Sequence, residues 1–179
     1  MLEAFKRASR TCAPHKAGTP ILKIVGKARK DWLKELTRSA RKLKIANEIE
    51  FAEAVRHREM PEVIAEAHIG AAPFLATERN TKQGFCPIKV LEYMACGLPV
   101  VAPAIPSVEE LARHDIEGIL YKPNSLARLS DALTRLIDDE MLRLRLGENG
   151  RTRTESFTWK NARLSLTKVY RGLLERSGQ

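Results

Sequence analysis

The residues best suited to chemistry lie in residues 84–103, which read GFCPIKVLEYMACGLPVVAP. A helix predicted to begin at Pro87 leaves the backbone N–H groups of its first turn unpaired, and its dipole adds partial positive charge there. Such a helix end binds anions, most often phosphate. Glu92 lies one turn further in, where an ionised carboxylate can accept two hydrogen bonds from a ribose diol. The spacing predicts a phosphate and hydroxyl site, with Lys89 as countercharge and Gly84 allowing close approach.

Short apolar runs alternate with amphipathic segments along the chain, and this alternation predicts the elements around that site. Strands are predicted at 20–26, 48–51, 68–74, 98–103 and 118–122. Helices are predicted at 27–44, 58–67, 87–96, 107–114, 125–139, 140–156 and 158–177. The helical region after residue 139 is predicted to be broken around Gly147 and Gly150. Strands separated by helical crossovers predict an α/β fold, a Rossmann-like parallel sheet with helices on both faces.

The segment between the third strand and the helix at Pro87 is predicted to be a long loop, because its residues 77–85 are polar and rich in turn formers. Ligands of open parallel sheets bind outside the carboxyl ends of the strands, where such loops lead into helices. Long loops in compact domains are usually functional. We therefore expect the ligand to contact this loop.

Positive charge is concentrated in the first quarter of the sequence. The net charge is +9, and residues 1–46 hold 13 Lys and Arg against 3 Asp and Glu. This excess fits a solvated helix face, or a surface near substrate phosphates or anionic lipid. Basic and aromatic residues are not interleaved, and no nucleic-acid-binding motif occurs, so no nucleic-acid partner is expected.

Length and composition favour one domain, since 179 residues with 44% hydrophobic content suffice for a single core. No apolar run reaches the roughly 18 residues of a membrane span, and the first residues lack a signal-peptide core. The three cysteines and four histidines show neither a disulfide framework nor metal-ligand spacing. We expect no metal, a cytoplasmic location and, through residues 1–46, peripheral contact with the inner membrane face.

The stretch VLEYMACGLPVVAP resembles the donor-binding segment of the retaining glycosyltransferases of family 4 (glycosyl transferase group 1), which have the two-domain GT-B fold. Neighbouring segments follow the family's order: ILKIVG, MPEVIAEAHIGAAPF, IPSVEELARHDIEGILYKPNSLARLSDALTRLIDD and SFTW. The likeness covers nearly the whole chain. It implies that residues 1–179 form the C-terminal, nucleotide-sugar-binding domain, with residues 158–177 as its C-terminal helix.

The resemblance also implies roles for the donor-nucleotide residues. Glu92 matches the second glutamate of the family's pair separated by seven residues, which binds the nucleotide ribose. Backbone N–H groups around Pro87, Ile88 and Lys89 would face the diphosphate, although Pro87 itself has no N–H to donate. Cys86 lies in the same loop.

The donor-sugar contact departs from the family pattern. The first glutamate of the pair is expected eight residues before Glu92, where this sequence has Gly84. Gln83 and Phe85 flank that position, and Gln83 or Glu78 are the candidates to replace the missing carboxylate.

A second departure concerns the start of the domain. The family's C-terminal domain opens with a strand and a Gly-Arg…Lys-Gly loop, whereas this sequence begins at MLEAFKRA, which resembles the helix after that loop. The first strand, its loop and the acceptor-binding domain are therefore expected to be absent from the chain.

The reaction implied by the resemblance is metal-free transfer of a sugar from a nucleotide-sugar, carrying UDP or GDP, to an acceptor with retention of configuration. No cofactor is implied, and no catalytic residue can be assigned. Two alternatives stay open: a non-catalytic or split subunit that needs a partner chain for the missing parts, and a basic remnant that binds anionic surfaces.

Overall fold

The computed structural model describes residues 1–12 and 18–177, so His15 and Lys16, part of the basic first quarter, lie outside the described residues. Its strands are β1 Leu22–Val25, β2 Ile49–Ala52, β3 Gly70–Ala71, β4 Val100–Pro103 and β5 Gly118–Tyr121. Its helices are α1 Leu2–Thr11, α2 Lys30–Lys42, α3 Met60–Ala65, α4 Glu78–Lys82, α5 Ile88–Ala95, α6 Pro106–Glu109, α7 Leu126–Asp138, α8 Glu140–Thr154 and α9 Trp159–Ser177.

All strand pairs are parallel, and helices flank the strands, which confirms the α/β prediction. The strands do not form one continuous sheet, however. Strands β1 and β2 pair with each other, and β3, β4 and β5 form a separate sheet in that order. The predicted single sheet is therefore divided into a two-stranded half (β1–β2) and a three-stranded half (β3–β5).

The three-stranded half holds most of the core. All residues of β4 and β5 are buried, and alternate residues face opposite sides. One side packs against α1, α7 and α8, and the other against α5 and α6. The strand residues on the first side are Val101, Ile119 and Tyr121, and those on the second are Val100, Ala102 and Leu120.

The two-stranded half is less buried. Every residue of β1 is only half-buried, and the cluster beneath it consists of Phe5, Ala40 and Ile45 with Leu22 among its partly buried neighbours. Helix α1 contributes to both halves, because Ala4 belongs to the core of the three-stranded half while the next residue, Phe5, belongs to this cluster.

The predicted break near two glycines is wrong, because α8 runs without interruption from Glu140 to Thr154. A Cβ at Gly147 would lie 2.1 Å from the carbonyl oxygen of Gly97, and one at Gly150 would lie 3.2 Å from the Met94 side chain. These glycines therefore serve close packing of α8 against the end of α5 rather than a turn.

Three further boundaries differ from expectation. The segment predicted as a loop at 77–85 contains the short helix α4. The helix predicted at 107–114 is only the single turn α6. Helix α5 begins at Ile88, with Pro87 in the N-cap position rather than inside the helix. The local sequence pattern thus missed α4, overestimated the length of α6 and placed the start of α5 one residue early.

Helix α9 projects an amphipathic surface with little burial. Its exposed apolar residues are Trp159, Leu164, Leu166, Val169, Tyr170, Leu173 and Leu174. Among the described helices, none has the length and apolarity required to cross a membrane.

Candidate functional site

The carboxyl ends of β3, β4 and β5 meet at one edge, because the three strands are parallel neighbours. The segments that follow them there are residues 72–87, 104–105 and 122–125. Helix α5 begins at this edge, directly after the first of these segments. The segment at 72–87 and the start of α5, where the sequence predicted the ligand to bind, therefore both lie at this edge.

Two aromatic rings hold the ends of the segment after β3 together. Phe74 and Phe85 lie with their ring centroids 4.9 Å apart and their planes at 75°, an edge-to-face contact. Phe74 also packs against the core cluster beneath α5. Phe85, a predicted sugar-site residue, is thus half-buried, and its ring packs against Phe74.

Polar contacts tie the same segment to the loops after the other two strands. Asn124 follows β5 with a positive φ of 57°, and its Oδ1 accepts a hydrogen bond from Ala76 N–H at 3.3 Å. Ser107 on α6 donates its hydroxyl to the carbonyl of Asn80 at 3.5 Å. Sequence reasoning missed Asn124 and Ser107. The signal that could have identified Asn124 is an Asn in a Pro-Asn-Ser turn, since Asn tolerates the left-handed region.

The α5 N-terminus offers fewer free donors than expected. Pro87 is buried, and Ile88 N–H already donates to the carbonyl of Cys86 at 3.0 Å. Val90 N–H donates to the carbonyl of Pro87 at 2.9 Å. Among the described residues, only Lys89 of the predicted phosphate donors has a backbone N–H without a carbonyl partner.

Glu92 and Lys89 form an ion pair at this helix end. The Lys89 ammonium donates to Glu92 Oε2 at 2.7 Å, and the Glu92 side chain is 20% exposed. The structure therefore brings these two predicted residues together. Lys89, predicted as countercharge to a phosphate, is paired here with Glu92, the predicted acceptor of the ribose hydroxyls. The Lys89 side chain is 53% exposed.

Two of the three predicted sugar-site residues, Gln83 and Gly84, are exposed, whereas Phe85 is half-buried. Cys86, predicted to lie at the diphosphate, is also exposed. Gly84 has a φ of 76°, a conformation that favours glycine, although a Cβ there would meet no atom within 4 Å. Glu78, the other candidate for sugar contact, forms an ion pair with Lys82 on α4 at 3.2 Å.

Tyr93, the neighbour of Glu92, fixes the position of α5 against β3. A Cβ at Gly70 would lie 2.4 Å from the Tyr93 ring, so only glycine lets this ring pack over the strand. Burial, and secondarily the Glu92 carboxylate, raise the pKa of the Tyr93 hydroxyl. Tyr93 is thus neutral at physiological pH.

Among residues 1–12 and 18–177, no group of three or more His, Cys, Asp or Glu could hold a metal ion.

Comparison with protein families shows to which family the chain belongs. A family model described as "Glycosyl transferases group 1" matches residues 1–153. The chain belongs to the group 1 glycosyltransferase family. The match extends from α1 to α8 and so includes both halves of the structure.

Individual proteins agree with this membership. An uncharacterised glycosyltransferase of Methanocaldococcus jannaschii is 33% identical over 94 residues, which cover 52% of this group 1 chain and 26% of the relative. Sucrose-phosphate synthase of Thermosynechococcus elongatus has the same fold, with a TM-score of 0.77 and 20% identity, over 98% of this chain and 42% of that one. HepE of Anabaena in complex with UDP and glucose matches with a TM-score of 0.71 and 22% identity, over 93% of this chain and 44% of that one. These structures have the GT-B fold.

The chain spans only part of each of these proteins, from about a quarter of the curated relative to less than half of the two solved structures.

Proposed function

We propose that this chain is the C-terminal, donor-binding half of a retaining GT-B glycosyltransferase of family 4, and that it binds a nucleotide-sugar whose sugar is transferred to an acceptor. The family match over residues 1–153 carries this proposal. The position of Glu92 and the α5 N-terminus at the carboxyl edge of the three-stranded half supports it.

Binding would begin with an exchange of partners at the Lys89–Glu92 ion pair. A ribose diol donates two hydrogen bonds to the Glu92 carboxylate, which releases the Lys89 ammonium toward the diphosphate. Lys89 N–H and the helix dipole add to the positive potential at the same point. As the sugar leaves, these groups would stabilise the charge that develops on the diphosphate.

The donor-sugar contact would come from Gln83 or from the backbone around Gly84. Gly84 supplies no carboxylate, and Glu78 is engaged with Lys82. Phe85 is held by Phe74, so its role would be to position the loop. Cys86 would lie beside the diphosphate.

UDP is the first nucleotide to test, because the structural neighbour HepE was crystallised with UDP and glucose. The experiment is calorimetric titration of the chain with UDP, GDP and pyrophosphate. Glu92→Ala is expected to weaken binding of the preferred nucleotide by about tenfold to a hundredfold, the effect of losing hydrogen bonds to a charged group. Pyrophosphate affinity should stay equal or rise, since Lys89 is released.

A matched control is Glu148→Ala, which removes an exposed carboxylate from α8 and should bind nucleotides as the unsubstituted chain does. Equal nucleotide affinities for Glu92→Ala and the unsubstituted chain would exclude the ribose role. Absence of binding to both nucleotides would contradict a donor site formed by this chain alone.

One observation favours a second candidate, the binding of an anionic surface. Helix α2 exposes all five of its basic residues and buries only Ala40; the five are Lys30, Lys34, Arg38, Arg41 and Lys42. Binding to vesicles that contain anionic lipid should then fall steeply with salt. A cytoplasmic location and contact with the inner membrane face belong to this candidate.

A further inference from the structure

Helix α9 has an exposed apolar face along its whole length. Since successive residues of an α-helix are rotated by about 100°, six large apolar side chains of α9 fall within an arc of about 140°. Their exposed fractions range from 54% to 92%. These six residues, here called the α9 apolar face, are Trp159, Leu166, Val169, Tyr170, Leu173 and Leu174.

Helix α7 shows how the same kind of pattern looks when the chain covers it. Leu129, Leu133 and Leu136 of α7 also recur three and four residues apart, but each is exposed by 5% or less because the helix packs on the three-stranded half. Contiguous exposed apolar surface on a folded protein marks an interaction site. The α9 apolar face is therefore a surface for a partner.

The charges of α9 identify the chemistry of that partner. Residues 47–158 hold 13 Lys and Arg against 18 Asp and Glu, so the chain before α9 is locally acidic. Helix α9 reverses this sign with one acidic residue, Glu175, against five basic ones: Lys160, Arg163, Lys168, Arg171 and Arg176. Pairing with α9 of a second copy would bring like charges together, which is unfavourable. An anionic partner is attracted instead.

The basic residues lie where a lipid surface would meet them. On the helical wheel Lys160 and Arg171 follow the apolar face on one side, Arg176 follows it on the other, and Arg163 lies within one margin of the arc. In a helix that lies flat with its apolar face toward the acyl chains, these long side chains reach the headgroups while their methylene stems stay on apolar surface.

Two aromatic side chains favour the same orientation. Trp159 and Tyr170 lie near the centre of the apolar arc, and amphipathic rings of this kind are enriched at the boundary between membrane and water. Six charged residues within 159–177 suit a helix in the plane of this boundary.

We propose that α9 binds the surface of a membrane that contains anionic lipid, with its apolar face inserted among the acyl chains and its basic residues at the headgroups. This contact is separate from the electrostatic one considered for α2, because α9 adds apolar insertion to charge. It does not rest on nucleotide binding, so the lipid experiment and the nucleotide titration succeed or fail independently.

The test uses Trp159 as the reporter of insertion. The chain has two tryptophans, so Trp32→Phe in the full chain leaves Trp159 as the sole source of tryptophan emission. Emission is followed while vesicles are added, either of phosphatidylcholine alone or with about one third phosphatidylglycerol. Leu166→Gln alters the apolar face, and Leu164→Gln is its matched control, because the two leucines are 54% and 50% exposed but lie on opposite sides of α9.

The expected result is a shift of Trp159 emission to shorter wavelength, at a lipid concentration at least about tenfold lower with phosphatidylglycerol than without it. Leu166→Gln should raise the required lipid concentration about tenfold, since one leucine no longer leaves water. Leu164→Gln should change it by less than about twofold. Circular dichroism checks that both variants keep the helix content of the unsubstituted chain.

Three outcomes would overturn the proposal. An unchanged Trp159 spectrum, or one that responds equally to both kinds of vesicle, contradicts binding to an anionic membrane. Equal effects of Leu166→Gln and Leu164→Gln contradict insertion through the apolar face. A shift that appears without lipid as the protein concentration rises, together with a dimer in size-exclusion chromatography, assigns this face to a second copy of the chain.

Discussion

The two halves of the structure differ in burial, although both are built from parallel strands of four residues or fewer. Strands β4 and β5 are buried at every position, whereas every residue of β1 is half-buried. The sequences explain part of this difference. VVAP and GILY are wholly apolar, but LKIV and IEFA each carry a charged residue, Lys23 or Glu50, and these two lie opposite each other in register.

The difference indicates where the fold derives its stability. Continuous apolar strands between two helical layers remove most of their surface from water, while β1 and β2 keep one charged face and one open edge. The three-stranded half should therefore dominate the free energy of unfolding. The two-stranded half should contribute the smaller part of that free energy.

The largest expected effect is that of a core truncation in the three-stranded half. Leu146 on α8 is fully buried, and Leu146→Ala should lower the free energy of unfolding by about 3–4 kcal/mol through lost burial and a cavity. Leu22→Ala in half-buried β1 is the matched control and should cost about 1 kcal/mol. Urea denaturation measures both, and equal losses would contradict the division into unequal halves.

A smaller effect is expected from filling the contact between α8 and the turn after α5. Gly147→Ala places a Cβ 2.1 Å from the carbonyl oxygen of Gly97, and the shift this requires should cost about 1–3 kcal/mol. Gly172→Ala in exposed α9 meets no atom within 4 Å and should be neutral or stabilise the helix by up to about 1 kcal/mol. Thermal unfolding of the two variants decides; a stable Gly147→Ala protein would mean that α8 can move away from α5.

Sequence reasoning predicted the buried half better than the open one. The apolar runs at 98–103 and 118–122 and the leucine spacing of α7 mark their elements directly, because burial on both faces leaves an uninterrupted apolar pattern. The division of the sheet could not be predicted, since it depends on which strand edges meet rather than on the residues within each strand. Gly147 was misjudged for a similar reason, because a close approach by a distant turn has no local signature.

The site shows the same limit. The proximity of Lys89 and Glu92 follows from their spacing of three residues on a helix, so the sequence contained the signal for this ion pair, although Lys89 was predicted only as countercharge to a phosphate. The hydrogen bond from Ile88 N–H to the Cys86 carbonyl depends on the turn that leads into α5. The hydrogen bond from Ala76 N–H to Asn124 Oδ1 joins residues 48 apart in the chain. Periodicity carries no information on such contacts.

The smallest expected effect on the free energy of unfolding is that of removing one ion pair from each half, Arg113–Glu117 beside β5 and Lys23–Glu50 between β1 and β2. Burial alone raises the pKa of the Glu117 carboxyl, but hydrogen bonds from the Arg113 side chain and backbone N–H outweigh burial and hold that pKa below its usual value. A carboxyl whose pKa is lowered by folding stabilises the protein above its unfolded pKa, here about 4.5, and this contribution is lost as pH falls through the lower folded value. Glu117→Gln should therefore cost about 1–2 kcal/mol at pH 7 and less at pH 3.

The Lys23–Glu50 pair of the two-stranded half supplies the comparison. Its Glu50 side chain is 54% exposed, and Glu50→Gln should change the free energy of unfolding by less than about 1 kcal/mol at either pH. Urea denaturation of both variants at pH 7 and pH 3 measures the difference. A loss for Glu117→Gln that is the same at both pH values would show that its hydrogen bonds, and not its charge, stabilise the loop between α6 and β5.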